Sequence, residues 1–249
     1  MVLLVDVGNS NIVFGFSNGN EIIDTFRFKS LTDITTDEYY IFIKAMLEKY
    51  EVEDVIISSV VPVITSSLKK LFNKYLNKEP LIMGPGIKTG IELKCDDPKT
   101  VGSDMICDCA GAMKYFNEAI IIDLGTATKY IYVKNNRFLG CSISPGVSIS
   151  MKALVNNAAL LPQFELVCPK KVIQTNTINC LQSGVLFGAS TQVDGMIDKI
   201  HDELGNKNIP IIATGGLSKI IIPLCSHEIK RVENLTLYGL LDIYYRNKK

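Results

Sequence analysis

Residues 3–16 read LLVDVGNSNIVFGF, and residues 120–133 read IIIDLGTATKYIYV. Each carries an apolar strand into an Asp, a Gly and a small polar turn, then returns along a second apolar strand. Overlaid without a gap, Asp6 falls on Asp123, Gly8 on Gly125, Ser10 on Ala127 and Phe14 on Ile131. A carboxylate at the end of a buried strand is costly unless something pairs with it. A glycine two residues later lets the backbone turn sharply and approach a ligand closely. Such a turn aims N–H groups at one point, which suits a phosphate oxygen; Asn9, Ser10 and Thr126 add side-chain donors. Two such hairpins facing each other would cradle a nucleotide's phosphates, with Asp6 and Asp123 available for cations. The bland alternative is two ordinary hairpins whose aspartates cap turns. Repetition in a matching context favours the cradle.

Outward from each hairpin the order of elements also repeats. After the first come a turn at SNGN, whose Asn and Gly tolerate positive φ, a strand EIIDTFRF, and a helix over YYIFIKAMLEKY with apolar residues at helical spacing. A buried strand DVIISSVVP, a helix ITSSLKKLFNKYL and a strand PLIMG follow. After the second come the turn KNNR, a strand FLGCSISPG, helices over SISMKALVNNAALL and INCLQSGVLFGASTQVDGMIDKIHDEL, a strand IPIIATGG and a last helix LTLYGLLDIYYR. Three antiparallel strands and then alternating helices and strands, occurring twice, imply two similar α/β halves. The boundary is expected near residues 112–118, giving halves of 1–114 and 115–249.

The bulk composition excludes several classes. Of 249 residues, 26 are Lys or Arg and 26 Asp or Glu, so no basic footprint marks nucleic acid or a membrane surface. No apolar run approaches the about 20 residues of a spanning helix, and the acidic Asp6 in MVLLVDVGNSN argues against a secretory signal. The seven cysteines are scattered without a C-x-x-C pair, and there are two histidines; a reduced, cytoplasmic setting is expected. GPGIKTG is not G-x-G-x-x-G, and neither G-x-x-x-x-G-K-[ST] nor G-x-S-x-G occurs. Cys107 and Cys109 on one helix read as core packing.

DVGNSN and DLGTAT, with SSVVP at 58–62, GCSISPG at 140–146, ALVNNAALLP at 153–162, SGVLFG at 183–188, VDG at 193–195, ATGGL at 213–217 and LTLYGL near the end, resemble the type III pantothenate kinases of the actin-like, sugar-kinase-like ATPase superfamily. The resemblance covers nearly the whole chain. It implies two duplicated ribonuclease-H-like domains around a nucleotide cleft, and ATP-dependent phosphorylation of pantothenate, the first step towards coenzyme A. VGSDM resembles the family's Gly-x-Asp-Arg motif, which makes Asp104 the implied general base, with Gly102, Ser103 and Met105 beside it on the acceptor side. Ser103 or Asp104 as a plain helix cap is the alternative. The resemblance implies ATP contacts from Asp6, Val7, Gly8, Asn9, Ser10, Asn11, Ile12 and Val13, and from Thr126. Gly215 and Gly216, at a strand end, suit the adenosine or a tight turn alone. Asp6 would hold the ATP-bound Mg2+, through water, and Asp123 a monovalent cation, potassium or ammonium. Thr177 matches a family threonine that contacts substrate across a subunit boundary, which implies a homodimer.

Three positions depart from that pattern. Met105 stands where the family has Arg, Cys95 where many members have a substrate-contacting Tyr, and Lys129 where Thr is common. The first two fall on the acceptor side, where losing a buried charged hydrogen bond typically costs about 2–5 kcal/mol. Lys129 reads as a solvated lysine, or as a charge replacing the missing Arg. Two rival readings follow: a non-catalytic, nucleotide-binding accessory or regulatory protein on the same fold, and a kinase for another small hydroxylated acceptor.

Overall fold

The computed structural model describes residues 1–248, which fall into two compact units. The first holds residues 1–115, 136–138 and 235–248. Its strands are β1 (Val2–Val7), β2 (Asn11–Asn18), β3 (Glu21–Lys29), β4 (Asp54–Ser59), β5 (Leu81–Ile82) and β6 (Glu92–Leu93). Its helices are α1 (Thr36–Glu48), α2 (Pro62–Leu71) and α3 (Ser103–Ala112). One sheet has the order β3-β2-β1-β4-β5, with β1, β2 and β3 antiparallel and β4 and β5 parallel to β1.

As the central strand, β1 is apolar on both faces and covered on both. Leu3, Val5 and Val7 join Phe14, Tyr39, Ile43, Ile64 and Leu68 in the core under α1 and α2. Side chains alternate, so Leu4 and Asp6 point to the opposite face. Local chemistry sets the boundaries. Thr35 and Glu38 form a reciprocal capping box at the start of α1, Pro62 opens α2, and Gly19 at φ +57° closes the first hairpin.

The second unit holds residues 116–135 and 139–234. It contains β7 (Glu118–Leu124), β8 (Ala127–Lys134), β9 (Arg137–Pro145, whose first two residues group with the first unit), α4 (Val147–Asn157), α5 (Thr177–Leu204), β10 (Ile211–Thr214), α6 (Ser218–Ile221) and β11 (Lys230–Arg231). β11, β10, β7, β8 and β9 lie side by side. The KNNR turn is built from Asn135 and Asn136, both at positive φ, the conformation that matches strand twist in a two-residue hairpin.

Two findings correct the sequence reading. The last helix, α7 (Leu235–Asn247), was expected with the second half, yet it groups with the first unit. Its partner is α3: an added Cβ at Gly239 would fall on the Cys107 carbonyl, and one at Gly111 would lie 2.6 Å from the Leu235 carbonyl. The two helix backbones therefore meet with no side chain between them. The second correction concerns the hairpins, which do not superpose without a gap. Val7 pairs with Ile12 but Leu124 with Thr128, so the second turn closes one residue sooner. A one-residue change in register decides which face each returning side chain takes.

Candidate functional site

In the first unit the candidate residues collect where the parallel strands β1 and β4 end. Asp6 pairs with Ser58 and Val7 with Ser59, and ligands of open α/β sheets bind at such carboxyl ends. The turn after Asp6 is tied down internally. The Gly8 N–H donates to the Asn11 carbonyl at 3.0 Å, the Ser30 hydroxyl to the Gly8 carbonyl at 2.5 Å, and the Ser30 N–H to the Ser10 carbonyl at 3.1 Å. The Gly8 N–H is therefore spent within the turn rather than aimed outward, a correction to the expected convergence of donors. Asn9 and Ser10 are exposed at its tip, Asn11 and Val13 are half-buried, and Ile12 is fully buried in the core.

α3 starts beside this turn. The Ser103 hydroxyl lies 3.0 Å from the Ser58 hydroxyl, accepts the Ser59 N–H at 3.0 Å and is 3.1 Å from the Ser59 carbonyl. Ser103 thus clamps the helix start to the strand end next to Asp6. Gly102 is the N-cap, and the Asp104 carboxylate folds back over the space that a side chain there would take. Asp104 Oδ1 accepts the Met105 N–H at 2.8 Å; Asp104 is half-buried. One turn on, burial pushes the Cys107 thiol well above its usual range, and the charges of Asp6, Asp108 and Asp104 push the same way. Both cysteines of this helix are fully buried, as the packing reading expected. Met105 is only 7% exposed, so the position implied for a charged side chain is filled by an apolar one.

The second unit repeats the placement at the ends of β7 and β10, where Asp123 pairs with Thr214. Here the turn is held between two glycines. An added Cβ at Gly146, the N-cap of α4, would fall on the Thr126 carbonyl; one at Gly215 would lie 2.6 Å from Asp123 Oδ1 and 2.5 Å from Leu124 backbone. Gly215 also adopts φ +89°, which glycine alone enters readily. The Ser218 hydroxyl donates to its carbonyl at 2.7 Å, and the Leu217 N–H reaches the Leu124 carbonyl at 3.3 Å. Gly216 stays exposed and Thr126 half-buried.

Lys129 lies directly across the ladder from Asp123, and its Nζ sits 2.8 Å from Asp123 Oδ2. The two side chains are 14% and 13% exposed, which corrects the solvated reading of Lys129. The signal that could have found this pair is the turn length: one residue fewer brings position 129, not 130, opposite the aspartate. Cys95, half-buried after β6, and Thr177, exposed at the first position of α5, are joined to neither strand edge by a hydrogen bond among the described residues. Sequence reasoning also missed Gly146 as a wall of the second turn and Ser58 as a partner of the α3 clamp.

The fold and the sequence both have known relatives. The ROK family glucokinase from Streptomyces griseus, solved with glucose and AMPPNP, shares the fold: TM-score 0.52, 14% identity, 97% of this chain and 98% of that one. This is the duplicated α/β architecture of the actin-like, sugar-kinase ATPases. In sequence, the type III pantothenate kinase of Acholeplasma laidlawii is 43% identical over 249 residues, and that of Exiguobacterium sibiricum 42% over 256, each alignment covering both chains in full. The sequence profile of the type III pantothenate kinases matches residues 2–199. The chain belongs to the type III pantothenate kinase family.

Proposed function

We propose that this protein transfers the γ-phosphoryl group of ATP to the primary hydroxyl of pantothenate, with Asp104 as the general base. The observation that carries the reading is the Ser103 clamp, which fixes the α3 start and its carboxylate next to the strand end bearing Asp6. Phosphoryl transfer asks a protein for positioning, charge neutralisation and a base near the attacking hydroxyl. Asp104 takes the hydroxyl proton, and the positive N-terminal end of α3 favours negative charge arriving there. In the first unit the exposed tip of the turn, Asn9 and Ser10, is offered to phosphates; in the second, Thr126 is, and Gly215 and Gly216 admit the adenosine.

A divalent metal arrives with ATP. The donors at the first edge are carboxylate and hydroxyl oxygens, which suit Mg2+ held by one or two carboxylates together with substrate phosphates. No cluster of three His, Cys, Asp or Glu side chains that would hold a metal unaided occurs among the described residues. Asp6 is the residue that would hold it, and when bound it would supply positive charge to the transferring phosphate. The monovalent cation implied at Asp123 does not fit the donors present, because that carboxylate is bonded to an ammonium of the chain itself.

The exposed position of Thr177 supports a homodimer in which it serves the neighbouring subunit's acceptor. Among the described residues no helix is long and apolar enough to cross a membrane, and the proposed reaction belongs in the cytoplasm. The test is ADP release from Mg-ATP with and without pantothenate. Pantothenate-dependent release that vanishes in Asp104→Asn supports the reading. Nucleotide binding without turnover supports the accessory-protein alternative, and turnover with another alcohol alone the third.

A further inference from the structure

We infer that Lys129 supplies, from within the chain, the single positive charge beside Asp123, so that this enzyme works without potassium or ammonium. The inference rests on the kinase reading above and on four features of the second unit. The short turn pairs Lys129 with Asp123 in register, which puts both side chains on one face of the sheet. Lys129 Nζ lies 2.8 Å from Asp123 Oδ2, at charge-assisted hydrogen-bond distance. Both side chains are more than four-fifths buried, so bulk salt screens the pair weakly. The carboxylate is also hemmed in: an added Cβ would lie 2.6 Å from its Oδ1 at Gly215 and 3.3 Å at Gly125.

A lysine head group is an ammonium ion with one hydrogen replaced by the chain. It carries the same charge as a free monovalent cation, in a tethered form. It needs no ion from solution, and it repels a second cation brought to the same carboxylate. The charge therefore stays at the Asp123 carboxylate at every salt concentration.

The experiment measures pantothenate-dependent ADP release, and separately the affinity for AMPPNP by calorimetry, in potassium chloride and in tetramethylammonium chloride at equal ionic strength. For the wild type, turnover and AMPPNP affinity should be the same in both salts. Lys129→Thr should be weak in both readouts without potassium. Potassium at ten times the site's Kd should then raise occupancy-linked AMPPNP binding by about tenfold. Potassium stimulation of the wild type overturns the inference while leaving the kinase reading intact. So does a Lys129→Thr variant that is as active as wild type in both salts. Absence of AMPPNP binding and turnover in either salt overturns the kinase reading and this inference with it. If Lys129→Thr does not fold, the wild-type comparison decides alone, and Lys129→Gln provides the second variant.

Discussion

Asp104 has a structural duty, because its Oδ1 accepts the Met105 N–H at the first turn of α3. An asparagine keeps that acceptor and loses only the basic carboxylate. Asp104→Asn should therefore lower kcat by about 10²–10⁴-fold, the usual worth of a positioned base, with the melting temperature unchanged. A parallel fall in melting temperature would mark the residue as a cap and remove the base from the proposal. Tyr130 tests the neighbouring strand in a different way. It is 1% exposed, and its hydroxyl has no hydrogen-bond partner among the described residues. A buried unsatisfied hydroxyl costs about 1 kcal/mol or more, so Tyr130→Phe should raise the melting temperature by about 2–4 °C near neutral pH. Burial, with a contribution from Cys225, lifts the Tyr130 phenol to about 12 from 10.0. Its folded pKa lies above the unfolded one, so its contribution is complete below pH 10 and is lost as the pH climbs through 12. Alkaline melting curves should accordingly show wild type losing more stability across that window than Tyr130→Phe.

At the scale of elements, α3 is positioned from both ends of its length. Ser103 ties its start to β4, and Gly111 and Gly239 let it lie directly on α7. An alanine at 239 places its Cβ on the Cys107 carbonyl and 2.9 Å from the Gly111 nitrogen; neither is a flexible side chain that can swing away. Gly239→Ala should cost about 3 kcal/mol and lower the melting temperature by about 6–12 °C. Because the displaced helix carries Asp104, kcat should fall with it. An unchanged melting temperature would show that the helices can separate freely. The helices and strands themselves were legible because their signals are local: helical spacing in residues 39–50, SNGN and KNNR at the hairpin tips, Pro62 at a helix start. Asp6 and Asp123 were legible for the same reason, each standing two residues before a glycine at a strand end. The α3–α7 contact was not, since Gly111 and Gly239 are far apart in sequence and each alone reads as a weak helical residue. The Lys129 pairing was hidden by one residue of turn length, which the gapless overlay of the two hairpins conceals.

At the scale of the whole molecule, the second unit carries a surface that bears on assembly. Ile149 and Leu154 on α4 and Ile178 on α5 are between 43% and 46% exposed. Leu154 also lines a groove of about 410 Å³ with Val147, Gly184, Val185, Gly188 and Ala189. Apolar surface concentrated in this way is costly to leave in water and suits a protein contact. The two α5 glycines that line the groove allow close approach: an added Cβ at Gly184 or Gly188 meets nothing within 4 Å. That openness separates folding from association. The Cβ of Gly188→Arg meets nothing in its own unit, and the change replaces a poor helix former with a good one, so the chain should fold at least as well. A homodimer closed over this face would bury the introduced guanidinium against apolar neighbours. Its dissociation constant should then rise by about 100-fold or more, close to 3 kcal/mol, as read by sedimentation equilibrium. If Thr177 serves the neighbouring subunit's acceptor as proposed, the KM for pantothenate should climb in the same variant while AMPPNP affinity holds. A Gly188→Arg protein that stays dimeric with an unaltered KM would move the contact to another face.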